Sequence, residues 1–308
     1  MDVALYTHVD MLDHRPGDGH PERPERLTAV IDALSDAGDL TLIIRDAPLA
    51  EEADLARVHP KAYLDRIFAA KPGAGRLQLD PDTAMSAGSL NAARRAAGAV
   101  VAAVRDVAGG GTKRAFCAVR PPGHHAEPET SMGFCIFSNV AIAALTAQAA
   151  GLAKVAVVDF DIHHGNGTQA AVAGREGLLF ASVQQWPLWP GTGHPDAAAA
   201  DNIVNAVSPA GAPREAWRAA FESLIPRLKT FAPDLILISA GFDAHRLDPI
   251  GGAGQALEEE DFAWATQAIV SVARTHAKGR VVSSLEGGYH LEALGRSALA
   301  HVRALAEG

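Results

Sequence analysis

The stretch that most constrains the fold runs from Val155 to Gln169 and reads VAVVDFDIHHGNGTQ. It begins with an apolar run of strand length without alternation of apolar and polar residues, which is typical of a strand buried on both faces. Two carboxylates, Asp159 and Asp161, come next, followed by two adjacent histidines and a glycine-rich turn. Buried carboxylates are costly unless each has a cationic partner. The stretch therefore predicts a cation-binding group at the edge of a buried sheet.

Apolar runs of the same kind recur along the chain and alternate with segments of helical period. The predicted strands are Val3–Tyr6, Ala115–Val119, Val155–Phe160, Leu178–Val183, Leu235–Ser239 and Arg280–Leu285. The helical segments are Leu90–Val104, Trp217–Leu228 and Phe262–His276. Pro226 predicts a kink or an end in the second helix, and the acids of Glu258–Asp261 predict the N-terminus of the third. The alternation predicts one α/β domain over residues 1–308, with a central, mostly parallel sheet and helices on both faces.

Charge and cysteine content narrow the function classes. The formal net charge is -9 and no Lys/Arg run is present, which argues against a general nucleic-acid binder and leaves cationic small molecules or basic peptides as partners. The two cysteines, Cys117 and Cys135, are too few for a disulfide framework. The chain shows no leader pattern and no apolar run long enough to span a membrane. We therefore expect no membrane association and a cytoplasmic location.

Four of the predicted strands end in polar sequences, where parallel α/β sheets bind their ligands. They are RPPGHHA (Arg120–Ala126), DFDIHHGNGTQ (Asp159–Gln169), SAGFDAH (Ser239–His245) and LEGGYH (Leu285–His290). On an extended segment Asp161 and His163, two residues apart, would point the same way and could share one cation. Asp243, from another strand end, is the candidate third ligand of a catalytic zinc site with open positions. The alternative is that these acids lie in ordinary surface turns.

The adjacent pair His124 and His125 suits acid–base catalysis, since histidine titrates near neutral pH. Asp159 and Asn166 are the nearest candidates for their hydrogen-bond partners. A charged and a neutral partner would push the two imidazole pKa values apart, giving one cation and one base. Tyr289, after two glycines, could donate a hydrogen bond to a developing oxyanion. The alternatives are exposed loop histidines and a tyrosine that only packs.

In this order, RPPGHHA, DFDIHHGNGTQ, PGTG (Pro190–Gly193) and SAGFDAH resemble the zinc-dependent histone deacetylase and acetylpolyamine amidohydrolase family, and its class II-like bacterial members in particular. The resemblance extends from HPERPERL (His20–Leu27) to LEGGYH, nearly the whole chain. It implies an arginase-like α/β domain with one Zn²⁺ per chain, Fe²⁺ being an alternative, and a structural K⁺. It also leaves assembly into a homo-oligomer open.

The resemblance further implies roles for single residues. Zinc would be held by Asp161, His163 and Asp243. His125 would be the general base, oriented by Asn166, which replaces an acid of the class I enzymes. His124, paired with Asp159, would be its electrostatic partner, and Tyr289 would polarise the acyl carbonyl.

Other positions match the family's potassium site, acyl channel and acetate pocket. Potassium would be bound by Asp159, Ser182 and the backbone carbonyls of Asp161, His163 and Val183. The channel would be lined by Gly133, Phe134, Trp189 and Ile250. Arg26 would line a pocket for released acetate. Gln184 stands where many relatives have histidine, and the expectation is that it lies at the channel rim.

The expected function is removal of acetyl or other acyl groups from acyl-lysine or a related N-acyl amine. N-acetylpolyamines and other small N-acetyl amines are the alternative substrates. An arginase-type ureohydrolase is a less favoured reading, because Gly165 and His245 stand where a second metal would need carboxylates. A chain that binds acyl ligands without turnover is the remaining alternative.

Overall fold

A parallel sheet of eight strands forms the centre of the computed structural model, which describes residues 1–197 and 199–307. In spatial order its strands are β2 (Leu42–Asp46), β1 (Val3–Thr7), β5 (Arg114–Cys117), β10 (Val281–Leu285), β9 (Leu235–Ala240), β6 (Val155–Asp159), β7 (Leu178–Trp186) and β8 (Ile203–Pro209). A separate antiparallel pair consists of β3 (Leu77–Asp80) and β4 (Thr83–Met85). The predicted α/β class and parallel sheet are confirmed.

Helices cover both faces of this sheet. They are α1 (Glu25–Ser35), α2 (Glu52–Leu55), α3 (Lys61–Ala69), α4 (Ser89–Gly109), α5 (Asn139–Ala149), α6 (Asn166–Val172), α7 (Arg214–Phe231), α8 (Gly252–Gln255), α9 (Glu259–His276) and α10 (Leu291–Ala306), with a 3₁₀ turn at Val9–Asp13. On one face α10 packs against α1 and α9, and α7 packs against α9. On the other face α4 packs against α5, and α5 against α6. Within the described residues, no helix has the length and apolarity that crossing a membrane requires.

The six predicted strands are all present, with ends shifted by one to three residues. Two strands of the sheet were missed, and both lie at its edges. β2 is half-buried to exposed along its length, and β8 carries polar residues such as Asn205. Edge strands have a solvent-facing side, so they lack the continuous apolar run that marks a central strand.

The three predicted helices are also present, and the second one does not end at Pro226. Helix α7 continues for five residues beyond Pro226, to Phe231. Proline removes one backbone hydrogen bond, yet the buried face that includes Phe221 and Leu228 spans it and holds the helix against the core. The predicted start of α9 is confirmed, since Glu258 and Asp261 form a capping box there.

The strand order places the polar strand ends side by side. β5, β10, β9 and β6 are consecutive neighbours, and all run parallel. The segments that follow them therefore leave the sheet at the same edge. This edge carries both histidine pairs of the sequence, Asp243 and Tyr289.

Candidate metal centre and active site

Three side chains converge beyond the ends of β6 and β9. Nδ1 of His163 lies 3.0 Å from Oδ1 of Asp161 and 3.1 Å from Oδ2 of Asp243. A tetrahedral zinc site with bonds of about 2.0–2.1 Å separates its ligand atoms by about 3.3 Å, close to these distances. Both carboxylates are fully buried and His163 is nearly so. The predicted three-ligand group is thus assembled in space.

The local backbone differs from the one expected from sequence. Strand β6 ends at Asp159, so Asp161 and His163 lie in a bent loop and not on an extended segment. Hydrogen bonds hold this loop in shape: Asp161 N–H donates to Asp159 Oδ1, and His163 N–H donates to Asp161 Oδ1. The two side chains converge because Asp159 and Asp161 bind the backbone amides that follow them.

The surroundings fit a cation. Asp243 Oδ2 is buried and accepts no well-aligned hydrogen bond within the described residues, although His163 Nδ1 is near. Burial lowers the pKa of His163, but the neighbouring carboxylates of Asp161 and Asp243 outweigh burial and raise it to about 10. The two carboxylates thus favour positive charge at this point. One nitrogen and two oxygen donors suit zinc, and iron(II) as well.

The adjacent histidines have different partners. His124 Nδ1 lies 3.0 Å from Asp159 Oδ2, and His125 Nδ1 lies 2.8 Å from Asn166 Oδ1. The Asn166 amide also donates to Glu127 at 2.8 Å, so its oxygen faces His125. His125 therefore donates from Nδ1, which leaves Nε2 as the basic nitrogen.

These partners separate the two imidazole pKa values. Burial lowers the pKa of His124, but the carboxylates of Asp161 and Asp159 outweigh it and raise the pKa to about 10. Burial, and then the charges of His124 and His163, hold the pKa of His125 well below its usual range. One cationic and one neutral imidazole thus stand side by side, with ring centroids 3.9 Å apart.

A narrow cavity of about 190 Å³ leads to these groups. Its lining residues are Asp82, His125, Gly133, Phe134, His163, Trp189, Ile250 and Tyr289. All four predicted channel residues are among them. The Trp189 ring meets the His125 ring edge-on at 4.6 Å, and Trp189 and Ile250 are 42% and 38% exposed, as expected of residues at an entrance.

Tyr289 lines the cavity, and Arg26 packs against its ring. The Arg26 guanidinium stands 4.8 Å from the Tyr289 ring centroid and donates to the backbone carbonyls of Glu286 and Gly288, each at 2.5 Å. It also donates to Glu22, which binds Arg120 as well. Burial raises the pKa of Tyr289 well above its usual range, so its phenol stays protonated. An acetate-binding role for Arg26 stays a prediction.

The remaining predicted positions lie further along the same edge. Ser182 is the ladder partner of Asp159, and potassium binding near these residues stays a prediction. Gln184 does not lie at the channel rim. It is fully buried, accepts from Ser182 and donates to the Gly193 carbonyl at 2.7 Å. Its amide therefore ties β7 to the PGTG loop, because both of its polar groups find partners inside.

Sequence reasoning missed three acids of the site. Glu286 is fully buried and accepts from the backbone N–H groups of Gly123 and His124 at 2.6 and 3.1 Å. Asp82 lines the cavity and accepts from Gly133 N–H at 3.0 Å. Asp248 accepts the N–H of Tyr289. Glu286 stands within LEGGYH, which was the available signal, whereas Asp248 lies three residues beyond SAGFDAH and Asp82 stands in no motif.

A second group of metal-ligand types forms elsewhere. His245 Nε2 lies 3.7 Å from Glu258 and 3.6 Å from Glu259. Each glutamate already pairs with an arginine, Arg246 or Arg296. His245 thus points away from the Asp161 group, so it supplies no ligand there.

Comparison with known proteins identifies the family. The model of the histone deacetylase domain matches residues 20–305. The chain belongs to the histone deacetylase family. A histone deacetylase-like amidohydrolase of Pseudomonas aeruginosa is 38% identical over 88% of this chain and 73% of its own length. A probable deacetylase of Archaeoglobus fulgidus is 34% identical over 95% and 82%.

Larger relatives contain the same unit. Type-2 histone deacetylase 2 of Dictyostelium discoideum is 35% identical over 99% of this chain, which spans only 21% of that protein. The crystal structure of the HDA15 HD domain superposes with a TM-score of 0.92 at 34% identity, over 99% of this chain and 91% of that one. Membership of the histone deacetylase family makes this protein a deacetylase, which is a hydrolase. It also implies zinc-dependent chemistry.

Proposed function

We propose that this chain removes acetyl or other acyl groups from acylated lysine side chains, or from a related N-acyl amine, with zinc held by Asp161, His163 and Asp243. One observation carries the proposal. The three donors converge around His163, which lines a narrow cavity together with the neutral His125, and the cationic His124 stands beside His125. When bound, zinc would polarise the acyl carbonyl and acidify a water molecule.

His125 would act as the general base. Its Nδ1–H is held by Asn166, so Nε2 is available to take a proton from the attacking water and return it to the leaving amine. Its lowered pKa keeps it unprotonated at neutral pH. The neighbouring His124 would remain protonated throughout, because Asp159 and Asp161 stabilise its charge.

Tyr289 would stabilise the charge that develops on the acyl oxygen. Its phenol is protonated and lines the cavity with His125 and His163. A neutral hydroxyl in a buried site donates a hydrogen bond that strengthens as an oxyanion forms. Arg26, against the tyrosine ring, would support this with its positive charge.

The cavity walls support a slim acyl-amine substrate. Phe134 and Trp189 stand on its sides and Ile250 at its mouth, which suits a methylene chain with its amide at the bottom. N-Acylpolyamines are a second candidate, favoured by the Asp82 carboxylate in the lining, which would pair with an amine of the chain. We also propose a structural K⁺ near Asp159 and Ser182, and a cytoplasmic location in keeping with two buried free cysteines.

A substrate panel tests the proposal. Zinc-loaded protein would be assayed, with potassium present, against acetyl-lysine, longer acyl-lysine, trifluoroacetyl-lysine and N-acetylpolyamine substrates. We expect hydrolysis of at least one class, and the preferred class decides between lysine and polyamine. Asp243→Ala should lose both bound zinc and turnover. Retained zinc with no hydrolysis of any of these amides would refute the proposal.

A further inference from the structure

We infer that Asp248 is a positioning residue that fixes Tyr289 and the channel residue Ile250 relative to one another. The inference rests on the proposed roles of those two residues. Asp248 follows the ligand Asp243 by five positions and is only 6% exposed. Among the described residues no Lys, Arg or His pairs with it, and its hydrogen-bond partners are backbone N–H groups.

Four backbone amides bond to the two oxygens of Asp248. Oδ2 accepts from Tyr289 N–H at 2.6 Å and from His290 N–H at 3.3 Å. Oδ1 accepts from Ile250 N–H at 2.9 Å and from Gly251 N–H at 3.3 Å. Burial raises the pKa of Asp248, and these four hydrogen bonds offset part of that rise. One side chain therefore joins the mouth of the cavity to the loop that bears the catalytic tyrosine.

The two pairs of hydrogen bonds to Asp248 differ in how far apart their partners lie along the sequence. The bonds from Ile250 and Gly251 are local and form the turn that Asp commonly makes with amides two or three residues on. The bonds from Tyr289 and His290 join segments 41 and 42 residues apart along the chain. A local turn alone does not require these long-range bonds.

The peptide bond between Gly288 and Tyr289 is held at both ends. Its carbonyl accepts from Arg26 Nε at 2.5 Å, and its N–H donates to Asp248. Gly288 has φ +118°, a conformation that glycine adopts readily and that other residues rarely adopt. Fixing both ends of this peptide plane sets the direction in which the Tyr289 side chain leaves the backbone. Asp248 thus aims the phenol into the cavity, and Arg26 completes the restraint.

Asp248→Asn keeps the size of the side chain while removing its charge and one of its two acceptor oxygens. An amide has one acceptor oxygen, so its NH₂ group must face one of the two pairs of N–H donors. If the Tyr289 pair loses its acceptor, the phenol moves, and a displacement of about 1 Å costs about 10²-fold in turnover. If the Ile250 pair loses its acceptor, the mouth of the cavity changes and KM rises.

A double-mutant cycle with Tyr289→Phe tests the inference. We expect Asp248→Asn to lower kcat by about 10–10²-fold in the wild-type background, and by less than about threefold when Tyr289 is already phenylalanine. A merely structural loss would multiply with that of Tyr289→Phe. Zinc content and Tm would be measured for each variant, and Asp65→Asn, in an exposed i,i+4 ion pair, is the matched control.

The outcomes separate this inference from the proposed function. Multiplicative losses, or a wild-type kcat together with a wild-type KM in Asp248→Asn, would overturn the inference and leave the function standing. Unchanged turnover in Tyr289→Phe itself would instead refute the oxyanion role on which it rests. If Asp248→Asn does not fold, Asp248→Ser serves in the same cycle, because a serine hydroxyl can keep the local turn but is too short for Tyr289.

Discussion

Gly287 offers a sharp test of the metal centre, because a side chain at this position would occupy the space of the two carboxylate ligands. A Cβ atom at this position would lie 2.3 Å from Asp243 Oδ2 and 2.5 Å from Asp161 Oδ2. Its backbone N–H also donates to Asp161 Oδ2 at 2.9 Å. Gly287→Ala therefore places a methyl group against both carboxylate ligands at once, without adding charge.

The size of the effect follows from these distances. Carbon–oxygen contacts of about 3.3–3.6 Å are usual, so the methyl group is about 1 Å too close to each oxygen. Metal sites tolerate about 0.2 Å in ligand distance, so the carboxylates must leave their binding positions. Changes that only reorient ligands cost about 10–100-fold in metal affinity, and we expect Gly287→Ala to lose at least 100-fold.

Zinc affinity would be measured by competition with a chromophoric chelator, beside turnover at saturating zinc. Gly109→Ala is the control, because a Cβ at Gly109 meets no atom within 4 Å. We expect that control to keep wild-type affinity. Wild-type zinc affinity in Gly287→Ala, with a folded chain by circular dichroism, would show that Asp161 and Asp243 do not hold the metal together.

Three further variants probe the base, its tuning and the core. His125→Ala should lower kcat by about 10²–10⁴-fold with zinc content unchanged, and comparable turnover would contradict the general-base role. Asn166→Asp should stabilise the His125 imidazolium and raise its pKa, so the acid limb of the plot of kcat/KM against pH should move to higher pH. An acid limb that stays in place would show that it does not report the titration of His125. Phe221→Ala, in the buried face of α7, should reduce the free energy of unfolding by about 3–5 kcal/mol in denaturant titrations while turnover per folded molecule is kept.

The central strands and the residues that follow them could be predicted from sequence because burial on both faces leaves a continuous apolar run. The polar groups after β5, β6, β9 and β10 then had to meet at one edge, whatever the strand order. The spacing of Asp161 and His163 also predicted that their side chains meet, but the extended segment assumed for that prediction was wrong. Their loop is bent, and backbone hydrogen bonds to Asp159 and Asp161 bring the side chains together.

Residues that bind backbone groups far away along the sequence could not be predicted. Glu286 binds the amides of Gly123 and His124, more than 160 positions away, and no local pattern reports such a contact. Asp82 reaches the cavity from the short β3–β4 pair, which lies outside the main sheet. Gln184 lies within β7, two residues before its end, and its amide satisfies interior groups.

The strand order has a consequence for how this chain folds. β9 and β10, the last strands along the sequence, lie between β5 and β6 at the middle of the sheet. Until they form, the sheet consists of two half-sheets with open inner edges, β2–β1–β5 and β6–β7–β8. His124 and His125 follow β5 in the first half-sheet, and Asp161 and His163 follow β6 in the second. Open edges invite aggregation during synthesis. Catalytic competence should therefore appear in a single late step, together with closure of the sheet.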